Sequence, residues 1–69
     1  MEGYMKVITA VKKYLNTDKE IFLQCVNDVG VYIVHKDKDF YLEYGERIAN
    51  TKVKRIDTEE SPDAVTIYI

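Results

Sequence analysis

The chain has 69 residues, 46% of them hydrophobic and 32% charged, and its ten basic and twelve acidic residues give a net charge of −2. This length predicts a single small domain spanning residues 1–69, and the composition is that of a folded globular protein. The weak net charge by itself argues neither for nor against nucleic-acid binding, and no hydrophobic run approaches the roughly 20 residues of a membrane-spanning helix.

The chain contains one cysteine, Cys25, and one histidine, His35. One cysteine excludes a disulfide within the chain, and the two residues together are too few for a zinc site of the usual kind. A core of this size rarely supplies more than roughly 3–5 kcal/mol, so we expect the chain to gain stability by self-association, most simply as a homodimer. The single thiol and the lack of an apolar secretory signal predict a cytoplasmic protein.

Residues 4–15 are predicted to form an amphipathic helix. Their apolar residues recur at the i, i+3, i+4 and i+7 spacing of one helical face. Lys12 and Lys13 fall in the last turns, where positive charge complements the helix dipole, and Asn16 is the expected end. The apolar stripe comprises Tyr4, Val7, Ile8, Val11 and Leu15.

Residues 18–29 allow two interpretations. A capping box at residues 17–20 and a stop at Gly30 favour a second helix. The alternative, which we favour, is a strand over residues 20–27 joined by a three-residue loop to the next strand, because it agrees with the hairpin described next. The expected cross-strand pairs are Cys25 with Ile33 and Leu23 with His35.

Residues 31–44 are predicted to form a β-hairpin with its turn at Asp37 and Lys38. Alternation along the two strands would put Ile33 opposite Leu42 and separate a hydrophobic face from a mixed one. A slip of one residue would mix the two faces, which disfavours it. The predicted core face comprises Val31, Ile33, His35, Phe40, Leu42 and Tyr44, and the other face comprises Tyr32, Val34, Tyr41 and Glu43.

Two further strands are predicted in the last third of the chain. Residues 51–56 are predicted to form a polar strand, residues 57–63 an acidic loop, and residues 64–69 a final strand with Val65, Ile67 and Ile69 on one face. The predicted fold class is therefore α+β, with one N-terminal amphipathic helix followed by an antiparallel meander of about five strands.

No set of residues in the sequence indicates catalysis. His35 is the only imidazole and is expected to be structural, and Cys25 is expected to be an inert, buried thiol. The sequence has no nucleophile elbow, phosphate-binding loop or dinucleotide fingerprint. Asp37 and Asp39 supply too few oxygens for a calcium site. We therefore expect no enzymatic activity, no cofactor and no bound metal.

The acidic residues of the predicted turns and loop are the candidate partner-binding residues. Solvated charged turns are the simpler interpretation, and docking on a basic protein surface is the functional one. The set comprises Asp37, Asp39, Glu43, Glu46, Asp57, Glu59, Glu60 and Asp63. The nearest basic cluster, Lys52, Lys54 and Arg55, is small beside the roughly six to ten phosphate contacts of a strong DNA binder.

Six tyrosines are the one unusual feature of the composition. Tyrosine is enriched at interfaces because it combines a large contact area with a polar tip. Tyr32, Val34 and Tyr41 share the second face of the predicted hairpin, which the helix, a second subunit or a partner would cover, or on which single-stranded bases would stack. The candidate self-association residues are Tyr32, Val34, Tyr41 and Tyr68.

Two resemblances follow from this organisation. A short helix followed by five strands, with EIFLQCVNDVGVYI across the first strand pair, resembles the Sm-like fold of ring-forming RNA chaperones, which implies an oligomer that binds RNA. A tiny, mildly acidic chain with no catalytic set is similar to phage-encoded host-takeover proteins. Some of those proteins are DNA mimics that inhibit DNA-binding proteins by presenting carboxylates in place of phosphates.

These observations predict a small, non-enzymatic regulatory or inhibitor protein that acts by protein–protein binding. Its acidic turns and loop would dock on a basic protein, for example one that binds DNA, without nucleic acid or membrane as a direct ligand. The alternative is an Sm-like oligomeric module that binds nucleic acid through Lys52, Lys54, Arg55 and the tyrosines.

Overall fold

The computed structural model describes residues 5–27, 30–59 and 62–69. The α+β class is confirmed, and a helix precedes the strands as predicted. The described residues form four strands instead of the expected five or so. In chain order the elements are α1 (Val7–Tyr14), β1 (Glu20–Gln24), β2 (Val31–Val34), α2 (Phe40–Tyr44), α3 (Glu46–Ala49), β3 (Arg55–Asp57) and β4 (Ala64–Tyr68).

The sheet is mixed, with the strand order β2-β1-β4-β3. β1 pairs antiparallel with β2, and β4 pairs antiparallel with β3, but the central strands β1 and β4 are parallel. The predicted antiparallel meander is therefore wrong at its centre. A parallel pair requires a crossover connection, and the short helices α2 and α3 provide it by carrying the chain from one end of the sheet to the other.

The predicted N-terminal amphipathic helix is confirmed by α1, with Lys12 and Lys13 in its last turn. Tyr4, where the predicted helix begins, lies outside the described residues. Backbone hydrogen bonds fix the start of the helix, since Val7 N donates to Thr51 O at 2.9 Å and Val53 N donates to Met5 O at 2.8 Å. The helix buries Val7, Ala10 and Val11.

The predicted hairpin over residues 31–44 is wrong in its second half, because that half forms helix α2. Asp39 caps the helix, and its Oδ1 accepts a hydrogen bond from Tyr41 N at 2.8 Å. Phe40 and Tyr44 pack with their ring centroids 4.9 Å apart. Residues four apart share a face in a helix as well as in a strand, so the aromatic spacing that suggested a strand also fits this helix.

The strand interpretation is confirmed for residues 20–24, which form β1, whereas residues 25–27 lie beyond the strand. Asp28 and Val29 of the predicted three-residue loop lie outside the described residues. The predicted register of β1 with β2 is wrong. Phe22 lies opposite Ile33 and Leu23 lies opposite Tyr32, a shift of three residues from the predicted pairs. Because side chains alternate along a strand, a shift by an odd number exchanges the two faces of β2. The strand therefore turns Tyr32 and Val34 toward the helices.

The exchange of faces changes which side chains enter the core. Val34 is 5% exposed, whereas Val31 and Ile33 are 52% and 48% exposed. Ile21 and Leu23 of β1 are buried beside Val65 and Ile67 of β4. The β2 residues opposite Ile21 and Leu23 therefore face the helices as well. The predicted core residues Val31, Ile33, His35 and Leu42 are thus exposed, whereas Phe40 is buried and Tyr44 is partly buried.

The core lies on one side of the sheet, beneath the three helices. The predicted face of the last strand is confirmed for Val65 and Ile67, which are fully buried. The polar strand predicted over residues 51–56 overlaps β3 only at Arg55 and Ile56, and β3 continues to Asp57. The core comprises Val7, Ala10, Val11, Ile21, Leu23, Val34, Phe40, Ala49, Val65 and Ile67.

No described element covers the other side of the sheet, which we call the open face. Its side chains alternate along the strands with those of the core. They belong to Phe22, Gln24, Val31, Ile33, Arg55, Asp57, Thr66 and Tyr68.

Candidate functional site

Three connections meet at one end of the sheet, where β1 and β4 begin and where β2 and β3 end. They are the turn after α1, the β2–α2 loop and the β3–β4 loop. Two lysines join them: Lys36 Nζ donates to Thr17 O at 2.5 Å, and Lys19 Nζ donates to Pro62 O at 2.6 Å. Segments that are distant in the sequence therefore form one continuous surface, which we call the acidic end.

The acidic end carries more negative charge than the chain as a whole. Seven of its described residues are acidic and three are basic, a difference of −4, whereas the entire chain has a net charge of −2. The acidic residues are Asp18, Glu20, Asp37, Asp39, Asp57, Glu59 and Asp63, and the basic residues are Lys19, Lys36 and Lys38. The acidic side chains are therefore segregated to one end of the fold.

Five of the eight predicted partner-binding residues lie at this end. Asp37, Glu59 and Asp63 are exposed. Asp39 is exposed and caps α2, and the half-buried Asp57 accepts a hydrogen bond from Glu59 N at 3.0 Å. Glu60 lies outside the described residues. Sequence reasoning missed Asp18 and Glu20, which the turn after α1 and the start of β1 add to the same surface.

Glu43 and Glu46 do not join the acidic end. Glu43 Oε2 lies 2.6 Å from His35 Nδ1, so this carboxylate is engaged within the chain. Glu46 begins α3, beyond the turn at Gly45. Its neighbours Tyr44 and Ile48 line a cavity at the opposite end of the sheet. These two acids therefore belong to different parts of the molecule.

A groove adjoins the acidic end between α1 and the β2–α2 loop. Its volume is about 240 Å³. The apolar side chains of Val11, Leu15 and Phe40 line it. Its polar lining residues are Lys12, His35, Lys38 and Asp39. A groove of this kind accepts a single apolar side chain of a partner next to the charged surface.

The four predicted self-association residues do not form one surface. Val34 is buried, and Tyr32 points to the helix side, where it lines an apolar cavity of about 180 Å³ with Cys25 and Tyr44. Tyr41 is exposed on α2, whereas Tyr68 lies on the open face. Arg55 stacks over Tyr68, with its Cζ 4.4 Å from the ring centroid.

The hydroxyl of Tyr44 binds to the backbone of β2, an edge strand of the sheet. The bonds from Glu20 N to Asp63 O and from Ile69 N to Gln24 O show that the even-numbered residues of β1 direct their backbone groups to β4. Its odd-numbered residues therefore pair with β2, and Ile33 points its carbonyl outward. Tyr44 donates its hydroxyl to that carbonyl at 2.6 Å.

Burial is the main cause that raises the pKa of Tyr44 above the ordinary value of 10.0, and the charges of Glu43 and Tyr32 add to it. The folded state therefore binds this proton more tightly than the unfolded state. The associated stability is complete below pH 10 and is lost as the pH rises through the folded-state pKa.

We expect Tyr44→Phe to lower the free energy of unfolding at pH 7 by about 1 kcal/mol, because the hydrogen bond to Ile33 is lost. We also expect the variant to lose less stability than the parent chain above pH 10. Urea titrations across this pH range measure both effects. Tyr41→Phe, at an exposed tyrosine, is the control and should follow the parent curve; equal curves for all three proteins would contradict this role.

The described residues contain no group of three or more His, Cys, Asp or Glu side chains that are placed to bind a metal ion. Among the same residues, no helix is long and apolar enough to cross a membrane. Comparison with known proteins finds no matching family model, no matching curated protein and no matching solved structure. The surfaces described above are therefore the basis for a functional proposal.

Proposed function

We propose that this protein is a small, non-enzymatic inhibitor that docks through its acidic end on a basic surface of another protein. The observation that carries the proposal is the excess of four negative charges at one end of the sheet, on three loops and the adjoining ends of β1 and β3, which are distant in sequence and adjacent in space. A basic partner that binds DNA fits this surface, because carboxylates can occupy the positions of phosphates. The protein would then act as a DNA mimic that competes with nucleic acid.

The construction of the acidic end supports this role. The lysine bonds to backbone carbonyls and the capping bond of Asp39 hold the loops in place before any partner arrives. Surfaces that are ordered in advance lose less conformational entropy on binding. The adjoining groove offers an anchor for one apolar side chain, so the partner should carry a hydrophobic residue beside its basic ones.

The alternative, an Sm-like module that binds nucleic acid, has less support. That resemblance depends on a helix followed by five strands, whereas the described chain has four strands, a parallel central pair and two helices between β2 and β3. The basic residues assigned to that module also lie in different places. Arg55 lies on the open face against Tyr68, whereas the backbone of Lys52 forms an isolated antiparallel β-bridge with that of Lys6.

Two matched charge reversals test the proposal. Glu59→Lys changes an exposed carboxylate of the acidic end, and Glu46→Lys makes the same change at an exposed carboxylate elsewhere. Each variant and the parent chain are immobilised and incubated with extract of the cells that encode the protein, before and after nuclease treatment. We expect the parent and Glu46→Lys to retain the same basic protein, and Glu59→Lys to retain about tenfold less of it.

The retained protein is then purified and tested for release of labelled duplex DNA by the parent chain. Release should weaken as salt is added, because the attraction between exposed charges is screened. Capture that disappears after nuclease treatment would point to nucleic acid as the ligand and reject the proposal. Equal capture by the two variants would reject the acidic end as the docking surface.

A further inference from the structure

The open face is divided into an apolar half and a charged half. Val31, Ile33 and Phe22 form the apolar half on β2 and β1, and the two β2 side chains are about half exposed. Arg55 and Asp57 form the charged half on β3, two residues apart on the same side of the strand. These exposed apolar side chains make the apolar half a candidate for an interface.

The free edges of the sheet offer less for association than this face. On β2, the outward carbonyl of Ile33 already accepts the Tyr44 hydroxyl at 2.6 Å, so a further strand would have to displace it. At the other edge β3 has only three residues. Association by strand addition is therefore disfavoured at both edges, and the open face is the surface that remains.

We propose that two copies of this chain pack through their open faces. The two-fold axis lies between the sheets and runs across the strands, so each strand lies over its own copy in the opposite direction. Val31 then meets Ile33 of the partner subunit, which joins the two apolar halves. Arg55 meets Asp57 of the partner subunit, and symmetry produces this ion pair twice.

The distribution of apolar and charged side chains on the open face favours this arrangement over others. A two-fold axis along the strands would place the apolar half of one sheet on the charged half of the other, which would desolvate charges against apolar groups. The arrangement across the strands instead matches apolar with apolar and positive with negative. The stacking of Arg55 on Tyr68, with 4.4 Å from Cζ to the ring centroid, holds the guanidinium over the face before the partner binds.

The size of the face sets the strength of the dimer. Four strands about 4.8 Å apart and five residues of roughly 3.3 Å each give a flat area of about 300 Å² per subunit. Stable interfaces bury about 800 Å² of accessible surface per partner. Projecting side chains make the accessible area of the face larger than its flat area, but the interface is still small. We expect it to dissociate in the micromolar range, where each contact has a measurable effect.

Exchange of the two charges tests the geometry. Arg55→Asp would place four acidic groups together in the dimer, and Asp57→Arg would place four basic groups together. We expect each single variant to raise the dissociation constant by at least about tenfold. The double variant R55D/D57R restores opposite charges across the axis and should return to within about threefold of the parent value. Sedimentation over a concentration series measures all four proteins.

A second variant probes the apolar half without changing the ion pairs. Ile33→Lys puts a charge where Ile33 meets Val31 of the partner subunit, and should also abolish the dimer. Circular dichroism at a concentration where all proteins are monomeric verifies that the fold is retained. A parent chain that stays monomeric at millimolar concentration would overturn the proposal. A dimer whose dissociation constant does not change in the Arg55→Asp and Asp57→Arg variants would also overturn the proposal, whatever the outcome of the partner-capture experiment.

Discussion

Replacing Ile67 by alanine is expected to remove most of the stability of the fold at 25 °C. Ile67 is fully buried at the centre of β4, between Leu23 of β1 and Ile56 of β3. Removal of a buried isoleucine side chain to alanine costs about 2–5 kcal/mol, because the transfer energy is lost and a cavity remains. A domain of this size has roughly 3–5 kcal/mol in total, so one substitution removes most of its stability.

Leu42→Ala is the matched control for this substitution. It also removes three carbon atoms, but Leu42 is 87% exposed on α2, where alanine is a good helix former. We expect a change of less than about 0.5 kcal/mol. Urea unfolding followed by circular dichroism compares both variants with the parent chain. A larger loss for Leu42→Ala than for Ile67→Ala would mean that the second arm of the chain packs as the predicted strand and not as α2.

The hairpin shows where sequence patterns fail for this chain. Phe40, Leu42 and Tyr44 alternate as in a strand, but the first and last of them are also one helical turn apart. The local signals that favour the helix are Asp39 as a cap and Gly45 as a stop, and both are recognisable in the sequence. The alternating pattern therefore predicts a strand where the capped segment forms a helix, which gives one strand too many.

The register of β2 depends on information that no local pattern contains. The four residues Val31–Val34 are apolar or aromatic throughout, so alternation does not define an inward side. The side is decided by the register of β2 on β1, which pairs Val34 with Ile21 and Tyr32 with Leu23. By contrast, the amphipathic α1 and the inward face of β4 have clear periodicities and were predicted.

Some features of the candidate site could be predicted from the sequence, whereas others depend on the fold. Residue type and exposed loops were enough to predict Asp37, Asp39, Asp57, Glu59 and Asp63 as surface carboxylates. Their assembly on one end requires the strand directions, because only these bring the β2–α2 and β3–β4 loops to the same side. The exclusion of Glu43 requires the contact with His35, eight residues away, which arises only because residues 40–44 are helical.

Gly45→Ala is expected to have the second largest effect on stability, although the substitution adds one methyl group in open space. Gly45 ends α2 and precedes α3, with φ +92° and ψ 163°, and no atom lies within 4 Å of an added Cβ. This backbone conformation is almost restricted to glycine and costs other residues of order 1–3 kcal/mol. The penalty therefore arises from the backbone and not from packing.

The alternative to this strain is a rotation of the backbone at residue 45, which would separate α2 from α3. That rotation would move Tyr44 away from the carbonyl of Ile33 and Glu43 away from His35, so either response is destabilising. We expect the free energy of unfolding to fall by about 1–3 kcal/mol, measured by urea titration.

Gly30→Ala is the control that separates backbone strain from the general effect of replacing glycine. The φ of Gly30 lies outside the positive region that disfavours alanine, and the nearest atom to an added Cβ is the Tyr32 hydroxyl oxygen at 3.2 Å. This tip belongs to a half-exposed side chain that can move, and alanine also restricts the unfolded chain. We therefore expect a change within about 1 kcal/mol for Gly30→Ala, and equal losses for the two variants would show that the connection between α2 and α3 does not require glycine.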